Sequence, residues 1–181
     1  MVTNEFLHLK YLNIELAAAD DENVFGTYDY LSLVSFLDAS PVLETFILSV
    51  DQHDMHHESV FGVASLHRRR IHEHKHDRLK KAQINGFCSA KSMAELTCYI
   101  VENATALESL TLDSIFNHRN DANDFVRCSG WKNGKCIPKS KQMIEEAHKA
   151  LKAIELYILE RIPSTVKLYV RRPCVRCHVV G

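Results

Sequence analysis

The sequence predicts an α/β solenoid: about five strand-helix units whose strands form one curved parallel sheet, with the helices on one side of it. Three observations lead there. A short motif of apolar residues recurs along the chain, each copy alternates apolar and polar residues, and the stretches between copies carry the spacing of one-sided helices. Alternating strands and helices with short connections build a parallel sheet, and a repeated series of such units curves.

The recurring motif has the spacing LxxLxL. It is read in LKYLNI (Leu9, Leu12, Ile14), LETFIL (Leu43, Phe46, Leu48), LKKAQI (Leu79, Ala82, Ile84) and LESLTL (Leu107, Leu110, Leu112). The fourth residues, at positions 12, 46, 82 and 110, are separated by 34, 36 and 28 residues. Leucine-rich repeats run to about 20 to 29 residues, so these are longer and less even members of that class. Period-two alternation suits a short strand with one face in the core and the other in solvent.

The first connection places Tyr30, Leu33, Val34 and Leu37 at helical spacing after Asp29, and Pro41 closes it. After the second strand, residues 51–77, rich in His and Arg, do not repeat and are expected to be an insert. The third strand leads to a helix over residues 92–103, with Ser92 and Glu95 at capping-box spacing and Met93, Leu96, Ile100 and Ala104 as its apolar stripe. A second irregular insert, residues 117–139, follows the fourth strand. The longest helical pattern begins near Lys139, with Met143, Ala147, Leu151, Ile154 and Ile158 on one face and Glu145 four residues before Lys149 on the other, and Pro163 ends it. TVKLYV, with Val166, Leu168 and Val170 alternating, reads as a closing strand. The repeat domain is thus expected over residues 1–171, with a polar tail at 172–181.

At 181 residues the chain suffices for one such domain. Its 46% hydrophobic and 25% charged residues are those of an ordinary globular protein. With 22 basic against 23 acidic residues there is no broad positive field, so nucleic acid is not an expected partner. Glu5, Lys10 and Glu15 interrupt the start of the chain, and no stretch approaches the ~18 apolar residues of a membrane span. A cytosolic or nuclear location is expected, with the six cysteines reduced; Cys88 and Cys98 then read as small buried hydrophobes.

Candidate chemistry is sparse. His72, His74 and His76 alternate, with His53, His56, His57 and His67 upstream, and imidazoles are good ligands for transition metals. The interleaved Arg68, Arg69, Arg70, Lys75 and Arg78 oppose a cation, so the run reads as a solvated loop ahead of a metal site. CVRCH at 174–178 matches the spacing for c-type haem attachment, but neither export nor a haem pocket is indicated. Cys128 and Cys136 are too widely spaced for a zinc knuckle. Asp20, Asp21 and Glu22 form an acidic run, and HRRRIHEHKHDRLKK a basic one that could meet phosphates or serve nuclear import; exposed loops are the simpler reading of both. The common nucleophile-elbow, phosphate-loop, zinc-protease and dinucleotide signatures do not occur, so no enzyme, cofactor or resident metal is expected.

The segment RIHEHKHDRLKKAQINGFCSAKSMAELTCYIVENATALESLTLD resembles the signature block of plant F-box proteins with leucine-rich repeats and the related FBD segment. The residues that carry the likeness are Leu79, Ile84, Gly86, Phe87, Glu95, Leu96, Tyr99, Ile100, Glu102, Asn103, Ala104, Leu107, Glu108, Leu110 and Asp113. ASPVLETFIL and IPSTVKLYV are similar to the preceding repeat and the usual ending of such proteins. The resemblance implies a non-catalytic substrate-recognition region of a ubiquitin-ligase receptor, whose repeats hold the protein to be ubiquitinated. In that family an F-box ahead of the repeats binds a Skp-type adaptor, whereas here a repeat begins by Leu9 and no F-box is read.

If the apolar strand positions face the helices, the intervening ones line the open sheet face: Asn13, Glu15, Ile47, Ser49, Gln83, Asn85, Thr111 and Asp113. A small polar face of this kind suits spread contacts with another protein. Two further expectations stand beside that one: a structural remnant or truncated paralogue that only completes a longer solenoid, with Phe6, Leu7 and Leu9 at an uncapped edge, and a histidine-cluster metal-binding protein.

Overall fold

In the computed structural model the described residues are 6–17, 28–51, 57–61, 69, 74–116 and 140–174. Five strands, β1 (Tyr11–Leu16), β2 (Thr45–Val50), β3 (Lys81–Asn85), β4 (Ser109–Asp113) and β5 (Lys167–Arg171), lie in chain order in one sheet. Every pairing is parallel, and the register runs straight across: Leu12, Phe46, Ala82, Leu110 and Leu168 are successive partners, as are Ile14, Leu48, Ile84, Leu112 and Val170. These are the motif positions, so each repeat places its apolar pair on the same side of the sheet. The predicted α/β repeat fold is the fold observed.

That side carries the core. Phe46, Leu48, Ile84, Leu110 and Leu112 are closed to solvent and pack with Leu33 and Leu37 and with Met93, Leu96 and Ile100 of the first and second helical connections. Burying each such side chain contributes about 1.5–3 kcal/mol relative to leaving it exposed. The leading leucines Leu43, Leu79 and Leu107 are buried at the strand entrances. Lys80 takes part in both neighbouring repeats there: its amide donates to Glu44 O, and its carbonyl accepts from the Glu108 and Ser109 amides.

The first connection is a 3-10 turn, Tyr30–Leu33, running into a short helix α1, Val34–Asp38. The Asp29 carboxylate caps it by accepting from the Leu31 amide at 3.1 Å. Helix α2 spans Lys91–Asn103, as its apolar period predicts, but the capping box does not form. The helix starts one residue earlier, with Ala90 at the cap; Ser92 Oγ instead accepts from the Tyr30 amide at 3.2 Å, and Glu95 turns to Arg69. Tertiary partners outcompete the local cap.

Helix α3, Lys141–Ala153, is capped by Ser140, whose hydroxyl accepts from the Met143 amide. It continues as a π turn, Ile154–Ile158, and a 3-10 turn, Leu159–Arg161. Its most buried face is Ala147, Ala150, Ala153, Ile154 and Ile158, so small side chains at closest approach replace Met143 and Leu151, which are only half-buried. The Arg161 guanidinium donates to the Tyr157 carbonyl in the widened turn. Lys141, rather than Lys149, is the described ion-pair partner of Glu145, at 3.8 Å.

Among the described residues the connection from β2 to β3 has no helix; it meets α2 at both ends, through Glu58 O accepting from the Lys91 amide and the His76 amide donating to Asn103 O.

Candidate functional site

The sheet face opposite the helices is built by alternation alone. Its middle row is Asn13, Ile47, Gln83, Thr111 and Tyr169, and the row at the C-terminal ends of the strands is Glu15, Ser49, Asn85, Asp113 and Arg171. The eight residues picked out from sequence are the β1–β4 members of these two rows, and the structure brings all eight onto one surface. The same alternation places a first row, Tyr11, Thr45, Lys81, Ser109 and Lys167, on that face. This row and the β5 members Tyr169 and Arg171 were missed, although the period-two pattern of TVKLYV implies them.

The rows differ in exposure. Asn13 and Glu15 are exposed, and Ile47, Gln83 and Thr111 half-buried. Ser49, Asn85 and Asp113 are buried, which corrects the expectation of a wholly open face. Buried polar groups require partners, and these have them. Asn85 Nδ2 donates to Ser49 Oγ at 3.0 Å, and Gln83 Nε2 donates to Asn85 Oδ1 at 2.8 Å. Asp113 Oδ2 accepts from Arg171 Nη1 at 3.0 Å while Oδ1 accepts from the Ile115 amide at 3.0 Å. The last row therefore ties neighbouring strands together, and the first and middle rows carry most of the accessible groups: Tyr11 and Tyr169 are each more than half exposed at opposite edges, with Lys81 and Lys167 exposed between and beside them.

Gly86 follows β3 with φ +77°, and its amide donates to Asp113 O at 2.9 Å. A Cβ there would sit 2.1 Å from Val50 O, so the turn accepts only glycine.

The residues of the signature block on α2 have a structural task. Glu95, itself buried, accepts from Arg69 Nη2 at 2.7 Å and from the Arg69 amide at 3.1 Å, while the same guanidinium reaches Asp29 at 2.6 and 2.8 Å. The hydrogen bonds from Arg69 hold the Asp29 carboxyl below its usual range. Further along, Tyr99 donates to Asp38 Oδ1 at 2.7 Å and lies 3.2 Å from His76 Nε2. Asn103 Nδ2 donates to Tyr99 O, and its Oδ1 accepts from Lys75 Nζ at 3.1 Å. The polar face of α2 thus clasps the connection that precedes β3.

The histidine run divides accordingly. His74 is exposed, and its ring lies 5.2 Å from that of His76. His76 is buried rather than solvated, and burial depresses its basicity. His53, His56, His67 and His72 lie outside the described residues, as do Asp20, Asp21, Glu22, Cys128, Cys136 and the Cys177–His178 part of the CxxCH stretch. Cys88 and Cys98 are buried as expected.

Cys88 lies close to His57 and Glu146, a grouping that suggests nucleophilic catalysis. Burial pushes its thiol up to about 12, and a protonated thiol closed to solvent is a poor nucleophile. No described helix is long and apolar enough to cross a membrane.

A family model described as At1g61320/AtMIF1, LRR domain, matches residues 1–175. Comparisons with curated proteins and with solved structures returned no match.

Proposed function

The chain belongs to the At1g61320/AtMIF1 leucine-rich-repeat domain family, and from that premise we propose that it recognises another protein through the first and middle rows of its sheet face. The observation that carries this reading is the unbroken register across all five strands, which sets exposed side chains on one face beside the buried, mutually bonded Ser49, Asn85 and Asp113 row. A surface held rigid before contact loses little conformational entropy on binding. Asn13, Ile47, Gln83, Thr111 and Tyr169 of the middle row, Tyr11, Lys81 and Lys167 of the first row, and Glu15, the exposed end of the last row, are the contact residues in this reading; Ser49, Asn85 and Asp113 support them.

The finer proposal is that the partner is a ubiquitination target and the domain the recognition part of a plant F-box-type receptor acting in the cytosol or nucleus. The signature block from Arg70 to Asp113 supports it. A photo-crosslinking residue placed at Ile47 or Tyr169, compared with one at Leu156 on the opposite side, tests both levels. The expected result is a discrete adduct from the sheet face alone, lost when Lys81→Glu and Lys167→Glu are combined. Equal labelling from Leu156 would refute recognition by this face. Co-purification of a Skp-type adaptor and a cullin with the natural full-length protein would support the ligase role, and an adduct without them would restrict the function to recognition.

A second reading, a unit that completes a longer solenoid, is favoured by one observation. The core-facing Leu12, Ile14 and Leu16 of β1 are only half-buried, and Phe6 and Leu7 beside them are exposed.

A further inference from the structure

We propose that His57, Cys88 and Glu146 bind one zinc(II) ion. Their ligand atoms come from three separate segments, the β2–β3 connection, the turn after β3, and α3, and all lie within 4.8 Å of one another. His57 Nε2 and Glu146 Oε1 are 3.3 Å apart. Tetrahedral zinc with nitrogen and oxygen ligands at about 2.0–2.1 Å sets two such donors about 3.3 Å apart, so this pair already has the separation the ion imposes. With a zinc–sulfur distance of about 2.3 Å the sulfur would sit about 3.6 Å from each of the other donors, so from within 4.8 Å the thiol needs to close by no more than about 1.2 Å.

The frame around the three donors is fixed independently of any ion. Ser59 bridges to Ala90 in antiparallel fashion, Val60 donates its amide to Ser89 O at 2.8 Å, and the Lys91 amide donates to Glu58 O at 2.9 Å. These bonds lock the His57 segment against the Cys88 turn. The Ser89 amide donates to Glu146 Oε1 at 2.6 Å and orients the carboxylate, in the manner of the outer-shell groups that position metal ligands. Ser89 Oγ lies 3.3 Å from His57 Nε2, the nitrogen that would turn to the ion.

On binding, the ion displaces the Cys88 thiol proton to solvent; the resulting thiolate and the Glu146 carboxylate neutralise two positive charges, and sulfur with imidazole favours zinc over magnesium or calcium. Of the three donors, His57 lines a cleft of about 320 Å³ together with Tyr28, Asp29, Glu58, Arg69, Lys91 and Ser92, while Cys88 is closed to solvent and Glu146 half-buried. With Glu146 on α3 and Cys88 beside β3, the ion would pin α3 to the sheet.

The test is metal retention by the full chain. Loaded with zinc sulfate and dialysed, it is expected to keep one zinc per molecule by elemental mass spectrometry. Cobalt(II) in place of zinc is expected to give the near-ultraviolet absorption of a thiolate–cobalt bond. Cys88→Ser, His57→Ala and Glu146→Gln should each weaken binding by more than about tenfold, the loss that follows removal of an outer-shell partner alone; His74→Ala should leave it unchanged. No retained zinc, or cobalt bound without the thiolate band, overturns the proposal. Undiminished retention in all three variants also overturns it and moves the metal to other histidines. Should Cys88→Ser fail to fold by circular dichroism, the cobalt spectrum of the unaltered chain and the half-buried Glu146→Gln decide.

Discussion

Gly86 shows how a single residue can be fixed by its neighbours across the sheet. The left-handed backbone alone costs an L-residue about 1–2 kcal/mol, and the contact with Val50 O adds to it. Gly86→Ala is therefore expected to lower stability by more than about 1 kcal/mol in urea denaturation followed by circular dichroism. His76 is the second such residue. Burial keeps its imidazole neutral in the fold, opposed by Asp38 and reinforced by His74. The unfolded chain thus takes up the proton first, so this contribution to stability is complete above pH 6.5 and is lost as pH falls through the depressed folded value. Melting temperature should fall from about pH 7 to pH 5, and His76→Gln should flatten that slope; an unchanged slope would show that His76 does not contribute. Neither role was legible in full. Gly86, Glu95, Tyr99 and Asn103 stand out in the signature block, but Arg69 and Asp38 are 26 and 61 residues from the side chains they serve. Spacing along the chain carries no trace of such pairs.

At the scale of the element, period two gave the strands and the helical period gave α2 and α3, because both are set by which side chains must leave water. What the pattern could not give is how an end or an irregular turn resolves. Ser92 and Glu95 have the spacing of a local cap, yet each finds a partner in another segment, Tyr30 and Arg69. The π turn at Ile154–Ile158 likewise depends on packing between α2 and the end of α3, where Cys98 Sγ approaches Tyr157 O at 3.6 Å. The alanines of α3 are the element's tightest feature. Ala150 is closed to solvent, and Ala150→Leu is expected to cost about 1–3 kcal/mol through overpacking, whereas the same change at exposed Lys149 should cost less than about 0.5 kcal/mol. Equal losses in thermal melts would contradict the close approach.

Across the whole molecule, burial grades from the middle of the sheet to its β1 edge. Leu48 and Ile14 are register partners, but Leu48 is fully buried and Ile14 only partly so. Leu48→Ala is expected to lose about 2–5 kcal/mol and Ile14→Ala clearly less, compared by urea denaturation. Comparable losses would mean that something covers the β1 edge in solution. The shared face was legible from alternation, whereas the burial of its last row was not, since its polar groups are satisfied by partners far apart in the chain, Asn85 with Ser49 at 36 residues and Asp113 with Arg171 at 58. The triad at His57 left no motif, because its donors share no local spacing. The straight parallel register also governs how the chain reaches this state. A parallel pair cannot close through a tight hairpin, so no two neighbouring strands can form as a local unit. From Thr45↔Lys81 to Ser109↔Lys167, each pairing waits for a distant segment to arrive. Because loop closure must precede most of the contacts that reward it, the chain should fold slowly for its size, with partly paired sheet edges exposed to other molecules for as long as that search lasts.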